Sequence, residues 1–386
     1  MLKIAIIGCG KIADSHAEQI SALRDCRLVA ACDRELLMAR QLAERFDVPE
    51  TFDDVSKLLK TVRPDVVHIT TPPHSHLPLA KQSLEAGSHV YVEKPFTLDV
   101  AEAEELIACA MAADRKVTVG HDLQFSHAAR RMRKLVHEGY LGGEPVHLES
   151  YYCYELSNPT YARAFLANNQ HWVRHLPGKL LHNIISHGIA RIAEFLRTDI
   201  PRVQVHGFVS PLLRSLGERE IIDELRVVIS EEDRLTAYFT FSSQMRPALN
   251  GFRLYGPRNG LLVDQEQETV IKLRGERYKS YLEKFYPQWQ LAKQYASNSM
   301  RNIGLFLRRD FHMKAGMRHL IESFYDSIRN QGAPPIAYRE ILLTTRIMDS
   351  IFAQLAEAGV KGAGFGVNYP ATEKASATRE LAGTNG

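Results

Sequence analysis

The sequence contains few cysteines, little net charge and no long apolar run. Its five cysteines include no C-x-x-C pair, which argues against a disulfide framework or a zinc site and favours a reducing cytoplasm. The formal net charge of +3 is too small to indicate nucleic-acid binding. The first apolar run, at 4–7, is too short for a signal-peptide core, and no run reaches the ~18 residues of a membrane span. We therefore expect neither export by a signal peptide nor a membrane-spanning helix.

The chain does contain the material for a large core. Of its 386 residues, 45% are hydrophobic and 24% are charged, which is close to the composition of ordinary globular proteins. At roughly 100 to 200 residues per domain, this length predicts two domains. Glycine, serine, threonine and alanine accumulate near the end of the chain, so residues 359–386 are predicted to be a disordered tail.

Short apolar runs alternate with helical patterns over the first third of the sequence. Continuous apolar runs are typical of buried parallel strands, whereas the intervening segments are rich in the helix formers alanine, leucine and glutamate. The alternation predicts βαβ units and a doubly wound parallel sheet, in a Rossmann domain covering residues 1–122. The predicted strands lie at 4–7, 28–32, 66–69, 89–92 and 117–119, and the predicted helices at 11–23, 35–46, 75–86 and 100–112.

The pattern changes after a predicted helix at 127–138, where glycines precede Pro145. From there on, valine, tyrosine, phenylalanine and threonine alternate with other residues, and turn residues separate the runs, which predicts antiparallel hairpins. Helical patterns at 180–197, 316–330 and 338–358 accompany these strands. We therefore predict an α+β second domain over residues 123–358.

A glycine-rich turn follows the first predicted strand directly and opens the first predicted helix. In the run G-C-G-K-I-A, Gly8 permits the tight turn and Gly10 lets backbone N–H groups approach a pyrophosphate. Asp33, at the end of the second strand, is placed to accept the hydroxyls of an adenine ribose, which favours NAD. Arg34 could instead hold a 2′-phosphate, so NADP remains an alternative. The cofactor residues predicted from this motif are Gly8, Gly10, Lys11, Ile12, Asp33 and Arg34.

Two further strand ends point to the same crevice. Thr71 and Pro72 follow one strand, and Glu93 and Lys94 follow the next. In open α/β sheets, ligands bind outside the carboxyl ends of the strands. A lysine there is unusual, because lysine is rarely desolvated without a partner or a function. For Lys94, the alternative to a role in chemistry is a salt bridge to Glu93 or another carboxylate.

These motifs, in this order and spacing, resemble the Gfo/Idh/MocA family of sugar and cyclitol oxidoreductases. The resemblance rests on the glycine turn at 8–13, on Thr71-Pro72 with His76, and on the E-K-P run at 93–95. It implies hydride transfer between a nicotinamide and a sugar-like carbinol. It also implies a second domain with a large, mostly antiparallel open sheet, which in the family often forms the interface of a homo-oligomer.

The resemblance further implies which residues adjoin the cofactor and the reacting hydroxyl. Lys94 would lie beside that hydroxyl, with a cis bond between it and Pro95. The cofactor residues implied in this way are Thr71, Pro72, His76, Glu93 and Lys94.

In the family, a helix of the second domain carries an aspartate followed four residues later by a histidine. Here Asn183 and His187 occupy these positions, and residues four apart share a helix face. His187 is the candidate base, because histidine transfers protons near neutral pH, while Lys94 polarises the oxygen. Asn183 cannot take up a proton, so the division of acid–base work stays open and His182 could share it. A core histidine is the alternative for His187.

The candidate substrate residues lie near the last Rossmann strand and in the segment 151–174. Asp122 either holds a sugar hydroxyl or caps a helix. The segment 151–174 combines tyrosines with arginine forks, which suits a sugar carrying a phosphate or carboxylate, such as a nucleotide-linked sugar. The alternative is ordinary strand and loop surface. The histidines near 171–187 have no carboxylate or cysteine among them, so we expect no metal. The predicted substrate residues are Asp122, Arg163, Trp172, Arg174 and His182.

The segment 276–315 combines eight Lys/Arg and three Asp/Glu with many aromatic residues. This composition favours a lid or a subunit contact over a helix on an anionic membrane surface. For the whole chain, the sequence favours an NAD(P)-dependent dehydrogenase or reductase of a sugar, cyclitol or nucleotide-linked sugar. The alternatives are an NAD-dependent, redox-assisted glycosidase and a cofactor-bound sensor or scaffold without catalysis.

Overall fold

The computed structural model describes residues 1–156, 168 and 170–362, with side chains as far as residue 359. The first sheet of this part of the chain has six strands, all parallel. They are β1 (Leu2–Ile7), β2 (Cys26–Cys32), β3 (Glu50–Phe52), β4 (Val66–Ile69), β5 (His89–Val92) and β6 (Val117–Val119). Their order is β3-β2-β1-β4-β5-β6, so the predicted Rossmann sheet is confirmed.

Helices cover both faces of this sheet, which is why its central strands are apolar throughout. Ile4, Ala5 and Ile6 of β1 have no exposed surface. The edge strand β3 and the helix after it were not predicted, because three residues with one apolar side chain carry too little periodicity. The helices are α1 (Lys11–Ser21), α2 (Leu36–Phe46), α3 (Val55–Val62), α4 (His76–Glu85), α5 (Val100–Ala112) and α6 (His127–His137).

The second sheet has seven strands in the described residues and is antiparallel at every pairing except that of β7 with β10. The predicted large, mostly antiparallel open sheet is therefore confirmed. Its strands are β7 (His147–Tyr152), β8 (Arg202–Phe208), β9 (Glu224–Glu231), β10 (Leu235–Ser242), β11 (Asn250–Tyr255), β12 (Asn259–Asp264) and β13 (Thr269–Arg274). They lie in the order β13-β12-β11-β7-β10-β9-β8.

Two short helices, α7 (Lys179–Ile184) and α8 (Ser186–Ala193), replace the single helix predicted at 180–197. The second of them lies against the sheet. A Cβ atom at Gly188 would come within 2.3 Å of the Phe239 ring, and the Ser150 hydroxyl donates to the Gly188 carbonyl at 2.8 Å. This close approach fixes the adjacent His187 relative to the sheet.

The C-terminal helices return to the first domain. These C-terminal helices are α11 (Ala315–Arg329) and α12 (Tyr338–Gly362). Two earlier helices of the second half of the chain are α9 (Pro211–Ser215) and α10 (Leu282–Leu307). Leu320 and Phe324 of α11 are fully buried in the core of the first domain, whereas Ile351 of α12 belongs to the second core. The predicted boundary at 122/123 thus separates the two sheets, but it does not separate the two cores, because α11 packs in the core of the first domain. Of the predicted tail, 359–362 are the last turn of α12, and 363–386 lie outside the described residues.

Candidate active site

The glycine turn between β1 and α1 forms one wall of a cavity of about 310 Å³. Gly8 has a φ of +93°, and a Cβ atom there would lie 2.6 Å from the Thr71 side chain, so only glycine fits. A Cβ atom at Gly10 would meet nothing within 4 Å. No side chain caps the N-terminus of α1, which leaves its first N–H groups available to an anion. The turn therefore fits a dinucleotide pyrophosphate.

Asp33 lines the same cavity at the end of β2. Its Oδ2 accepts from the Cys9 N–H at 2.7 Å and its Oδ1 from the Glu35 N–H at 3.0 Å. These bonds hold the carboxylate beside the glycine turn, where the ribose hydroxyls of a dinucleotide can donate to it. Arg34 is exposed and lines the cavity as well. Both residues line the cavity at the end of β2, as the sequence predicted.

The loop after β4 forms the opposite wall with Thr71 and Pro72. Thr70, which sequence reasoning missed, ties it to the glycine turn, because its hydroxyl donates to the Gly8 carbonyl at 2.5 Å. His76 needs correction. It has no exposed surface, and its ring nitrogens contact the Thr71 carbonyl at 2.8 Å and the Pro95 carbonyl at 3.0 Å. The ring therefore positions two loops of the crevice and cannot itself contact the cofactor.

Lys94 lies at the junction of the two domains, after β5. Its Nζ donates to the Asn183 carbonyl oxygen at 2.9 Å and lies 3.4 Å from Asn183 Oδ1. Burial lowers the pKa of Lys94, although the nearby Glu93 carboxylate opposes this shift. The Lys94–Pro95 peptide is cis, as the resemblance implied. The salt-bridge alternative for Lys94 gains no support, because its ammonium group contacts Asn183.

Glu93 is buried, and both of its carboxylate oxygens contact neighbouring residues. Its Oε2 accepts from the Lys94 N–H at 3.2 Å, and its Oε1 lies 2.8 Å from His16 Nε2. A Cβ atom at Gly120 would lie 2.7 Å from the same Oε1, so the carboxylate fills that space. The predicted cofactor contact by Glu93 remains a prediction.

His187 and Asp122 face each other, with 3.8 Å between Nδ1 and Oδ1. Burial, followed by the charge of Lys94, lowers the pKa of His187 well below its ordinary value, so the imidazole is neutral near pH 7. Burial, followed by the charge of Glu93, raises the pKa of Asp122 to about 6. The helix-cap alternative for Asp122 is wrong, because Ser126 caps α6 by accepting from the Ala129 N–H.

Four further residues surround His187 and were not predicted as site residues. His121 and Tyr152 pack around the imidazole, with ring centroids at 5.9 Å and 5.6 Å. The Arg191 guanidinium lies 5.8 Å from the centroid of the Tyr152 ring and is itself buried, which lowers its pKa to about 10. Lys314, just before α11, is close enough for its charge to act on both Asp122 and His187. His121 adjoins Asp122, Tyr152 lies in the segment 151–174 and Lys314 lies in the segment 276–315, so Arg191 alone of these four carried no sequence signal.

Three predicted substrate residues are not shown to reach the crevice. His182 is 2% exposed, stacks on Phe352 and lies 3.3 Å from the Thr97 carbonyl. It belongs to α7, whereas His187 belongs to α8. Arg174 donates to Glu218 at 2.6 Å, so its charge is balanced inside the protein. Trp172 packs against the second core. The predicted contacts by His182 and Arg174 are thus corrected, and Arg163 lies outside the described residues.

The segment 276–315 forms mainly helix α10, which packs along the edge strand β13. The Asn298 amide pairs with the backbone of Val270 on that strand. The outward side exposes large apolar residues, among them Trp289 (69%) and Phe306 (68%). A separate open groove of about 1160 Å³ beside the helix shares no lining residue with the cofactor cavity. Among the described residues that line the cofactor cavity, none comes from this segment, and the lid and the subunit contact stay predictions.

In the part of the chain that the structure describes, no group of His, Cys, Asp and Glu could hold a metal ion, and no helix is long and apolar enough to cross a membrane. The two domains and the crevice between them define the class of protein. A Rossmann domain with a cavity fitted to a dinucleotide meets a second, open-sheet domain that brings a histidine and an asparagine to the cofactor edge.

Residues 2–121 match the model of an oxidoreductase family with an NAD-binding Rossmann fold. The match covers the first domain, and there it confirms the resemblance to the Gfo/Idh/MocA family noted in the sequence. The chain is 34% identical over 142 residues to D-glucoside 3-dehydrogenase from Escherichia coli (strain K12) and 31% identical over 149 residues to UDP-N-acetylglucosamine 3-dehydrogenase from Acidithiobacillus ferrooxidans. These matches cover 36% and 39% of this chain, and 40% and 44% of the relatives.

The whole fold is shared with solved structures. The WlbA dehydrogenase from Bordetella pertussis, solved with NADH and UDP-GlcNAcA, superimposes with a TM-score of 0.73 at 14% identity. The match covers 92% of this chain and 96% of that one. At this identity the likeness establishes the architecture of both domains.

Proposed function

We propose that this protein is an NAD-dependent oxidoreductase that transfers hydride between the nicotinamide and a carbinol of a sugar derivative. The observation that carries the proposal is the contact of Lys94 with Asn183, which stands four residues before His187 of the His187–Asp122 pair. This contact brings a cation and a proton acceptor from two domains to the carboxyl edge of the Rossmann sheet, where a nicotinamide would lie.

The bound nicotinamide would supply the hydride acceptor or donor, and the chain's own residues would do the rest. The glycine turn and Asp33 hold the dinucleotide. The Lys94 ammonium stabilises negative charge on the reacting oxygen, and the neutral His187 ring accepts the hydroxyl proton. The imidazolium formed would be repelled by Lys94, and the Asp122 carboxylate at 3.8 Å offsets that repulsion.

The preference for NAD over NADP rests on Asp33. A carboxylate fixed by two backbone N–H groups repels a 2′-phosphate, whereas the exposed Arg34 is free to move away. NADP as the preferred dinucleotide in a direct titration would assign selectivity to Arg34 instead.

The substrate class is tested by two measurements on the purified protein. Mass spectrometry of co-purified small molecules should detect a dinucleotide, and absorbance of NADH should rise when the correct sugar, cyclitol or nucleotide-linked sugar is added with NAD. The names of the relatives, which act on a glucoside and on UDP-N-acetylglucosamine, define the first panel. Release of a sugar without net NADH would instead support the redox-assisted glycosidase, and dinucleotide binding without turnover on any panel member would support a sensor.

We also propose that the protein forms homo-oligomers through the exposed side of α10 and works in a reducing cytoplasm, where its five free cysteines stay reduced. Replacing Trp289 and Phe306 by glutamate should lower the mass measured by light scattering. Met111→Glu, at an exposed apolar residue on α5 of the first domain, is the matched control. An unchanged mass together with lost binding to anionic vesicles would favour a membrane-surface role.

A further inference from the structure

A chain of four buried side chains connects the crevice to the C-terminal helix α11. His16 Nε2 lies 2.8 Å from Glu93 Oε1, His16 Nδ1 lies 2.8 Å from His68 Nδ1, and His68 Nε2 lies 2.8 Å from the Tyr325 hydroxyl oxygen. His16, His68 and Tyr325 have no exposed surface, and Glu93 is 6% exposed. We call these four residues the buried chain.

The buried chain joins four separate elements of the first domain. His16 is on α1, His68 is in β4, Glu93 follows β5 and Tyr325 is on α11. The Tyr91 ring stacks on the His68 ring at 4.7 Å, with 4° between the planes, and holds it in place. Other charged or titratable groups also face the buried chain. Near Glu93 they are Lys94, His121 and Asp122, and beside the histidine rings it is Tyr91. Near Tyr325 they are Cys26 and Arg329.

The order of donors along the buried chain follows from proton counting. Burial alone would raise the pKa of Glu93, but the hydrogen bond from His16 helps to hold it below its ordinary value, so the carboxylate accepts from His16 Nε2–H. We take the His16 ring as neutral; such a ring has one N–H, so Nδ1 accepts from His68 Nδ1–H. His68 Nε2 must then accept from the Tyr325 hydroxyl.

In this donor order the His68 ring and the Tyr325 hydroxyl are both neutral, which agrees with their burial. Burial lowers the pKa of His68 well below its ordinary value and raises the pKa of Tyr325 well above it. Each of the three bonds then has one donor and one acceptor, and every donor points towards Glu93. Reversing the order would require a protonated Glu93, because His16 Nε2 would have to accept from it.

We propose that Tyr325 and His68 are positioning residues for the crevice, which act through His16 to keep Glu93 ionised and fixed in orientation beside Lys94. The Tyr325 hydroxyl donates to His68 Nε2, the acceptor furthest from Glu93, and thereby favours the donor order in which Glu93 is a carboxylate. The catalytic consequence rests on the proposed function, whereas the donor order does not.

The donor order is tested on the protein without substrate by ¹⁵N NMR of histidine-labelled protein. The unaltered protein should show His16 protonated at Nε2 and His68 protonated at Nδ1, with this pattern reversing only at acid pH. Tyr325→Phe keeps the ring and removes only the hydroxyl, and it should move the reversal upward by about one pH unit, the scale of one hydrogen bond to a buried group. Tyr338→Phe, which removes the hydroxyl that accepts from the Val117 N–H, is the matched control and should leave it unchanged.

The link to catalysis is tested by turnover with a confirmed substrate. The turnover of Tyr325→Phe should match that of the unaltered protein at pH 8 and fall by up to about threefold at pH 5, because Glu93, whose pKa is held below its ordinary value, becomes only partly protonated there after an upward shift of about one unit. Equal losses at both values of pH would show a purely structural role. A His16 ring protonated at Nδ1 in the unaltered protein, or an unshifted reversal in Tyr325→Phe, would overturn the donor order whether or not the protein is a dehydrogenase.

Discussion

The two sides of the crevice are built in different ways. On the first-domain side, the main functional residues stand within two residues of a strand end: Gly8 after β1, Asp33 after β2, Thr71 after β4 and Lys94 after β5. On the second-domain side, Asn183 and His187 come from short interior helices that are placed by packing on a sheet. The positions of the functional residues on the first side therefore follow from the order of strands along the chain, whereas those on the second side depend on contacts between residues distant in sequence.

The largest expected effect falls on Lys94, where the two sides meet. Lys94→Met should lower turnover by on the order of 100-fold, because it removes the cation that stabilises charge on the reacting oxygen. Dinucleotide affinity, measured by titration with NADH, should change little. A matching loss of affinity would mean that Lys94 serves the cofactor side only.

The second-largest effect is expected at Asp33, which lies on the first-domain side of the crevice and is expected to act on NAD binding alone. Asp33→Ala should weaken NAD binding by roughly 10- to 100-fold, the scale of hydrogen bonds to a charged group, while turnover at saturating NAD is nearly retained. Isothermal titration with NAD and kinetics at saturating NAD measure the two quantities. Arg34→Ala is the neighbouring control and should leave NAD affinity within about twofold, since an exposed side chain not needed for the ribose contributes little.

Much of the first side could be predicted from sequence and little of the second. Strand ends in a parallel sheet share one edge, so Gly8, Asp33 and Lys94 were brought together by topology alone. His182 was misplaced because a helical pattern does not say which face meets which neighbour. Tyr152 could be predicted only as one of several tyrosines in the segment 151–174, because its approach to His187 depends on how β7 packs beneath α8.

A third prediction concerns pH and the second-domain side. Because the pKa of Asp122 is raised to about 6, its carboxylate is lost as the pH falls through that value. Turnover in the oxidative direction should fall with it. Asp122→Asn should remove this dependence near pH 6 and lower turnover by about tenfold at pH 8, since the imidazolium loses its counter-charge. A midpoint near 6 that persists in Asp122→Asn would assign it to another group.

The smallest effect is expected for the corrected residue Arg174. Arg174→Ala breaks its buried ion pair with Glu218 and should lower the free energy of unfolding by about 1 to 3 kcal/mol. KM for the substrate should stay within about twofold, because its charge is used inside the protein. Chemical denaturation gives the first quantity and steady-state kinetics the second. A large rise in KM with unchanged stability would restore the predicted substrate contact.

The central claim is that Lys94 of the first domain and His187 of the second act on one transition state, and a double-mutant cycle of turnover tests it most directly. Lys94→Met and His187→Ala should each cost on the order of 100-fold, and the double variant should cost much less than the product of the two losses. Cofactor affinity should remain native in all four proteins. A near-native rate in His187→Ala, or losses that simply multiply, would contradict the claim.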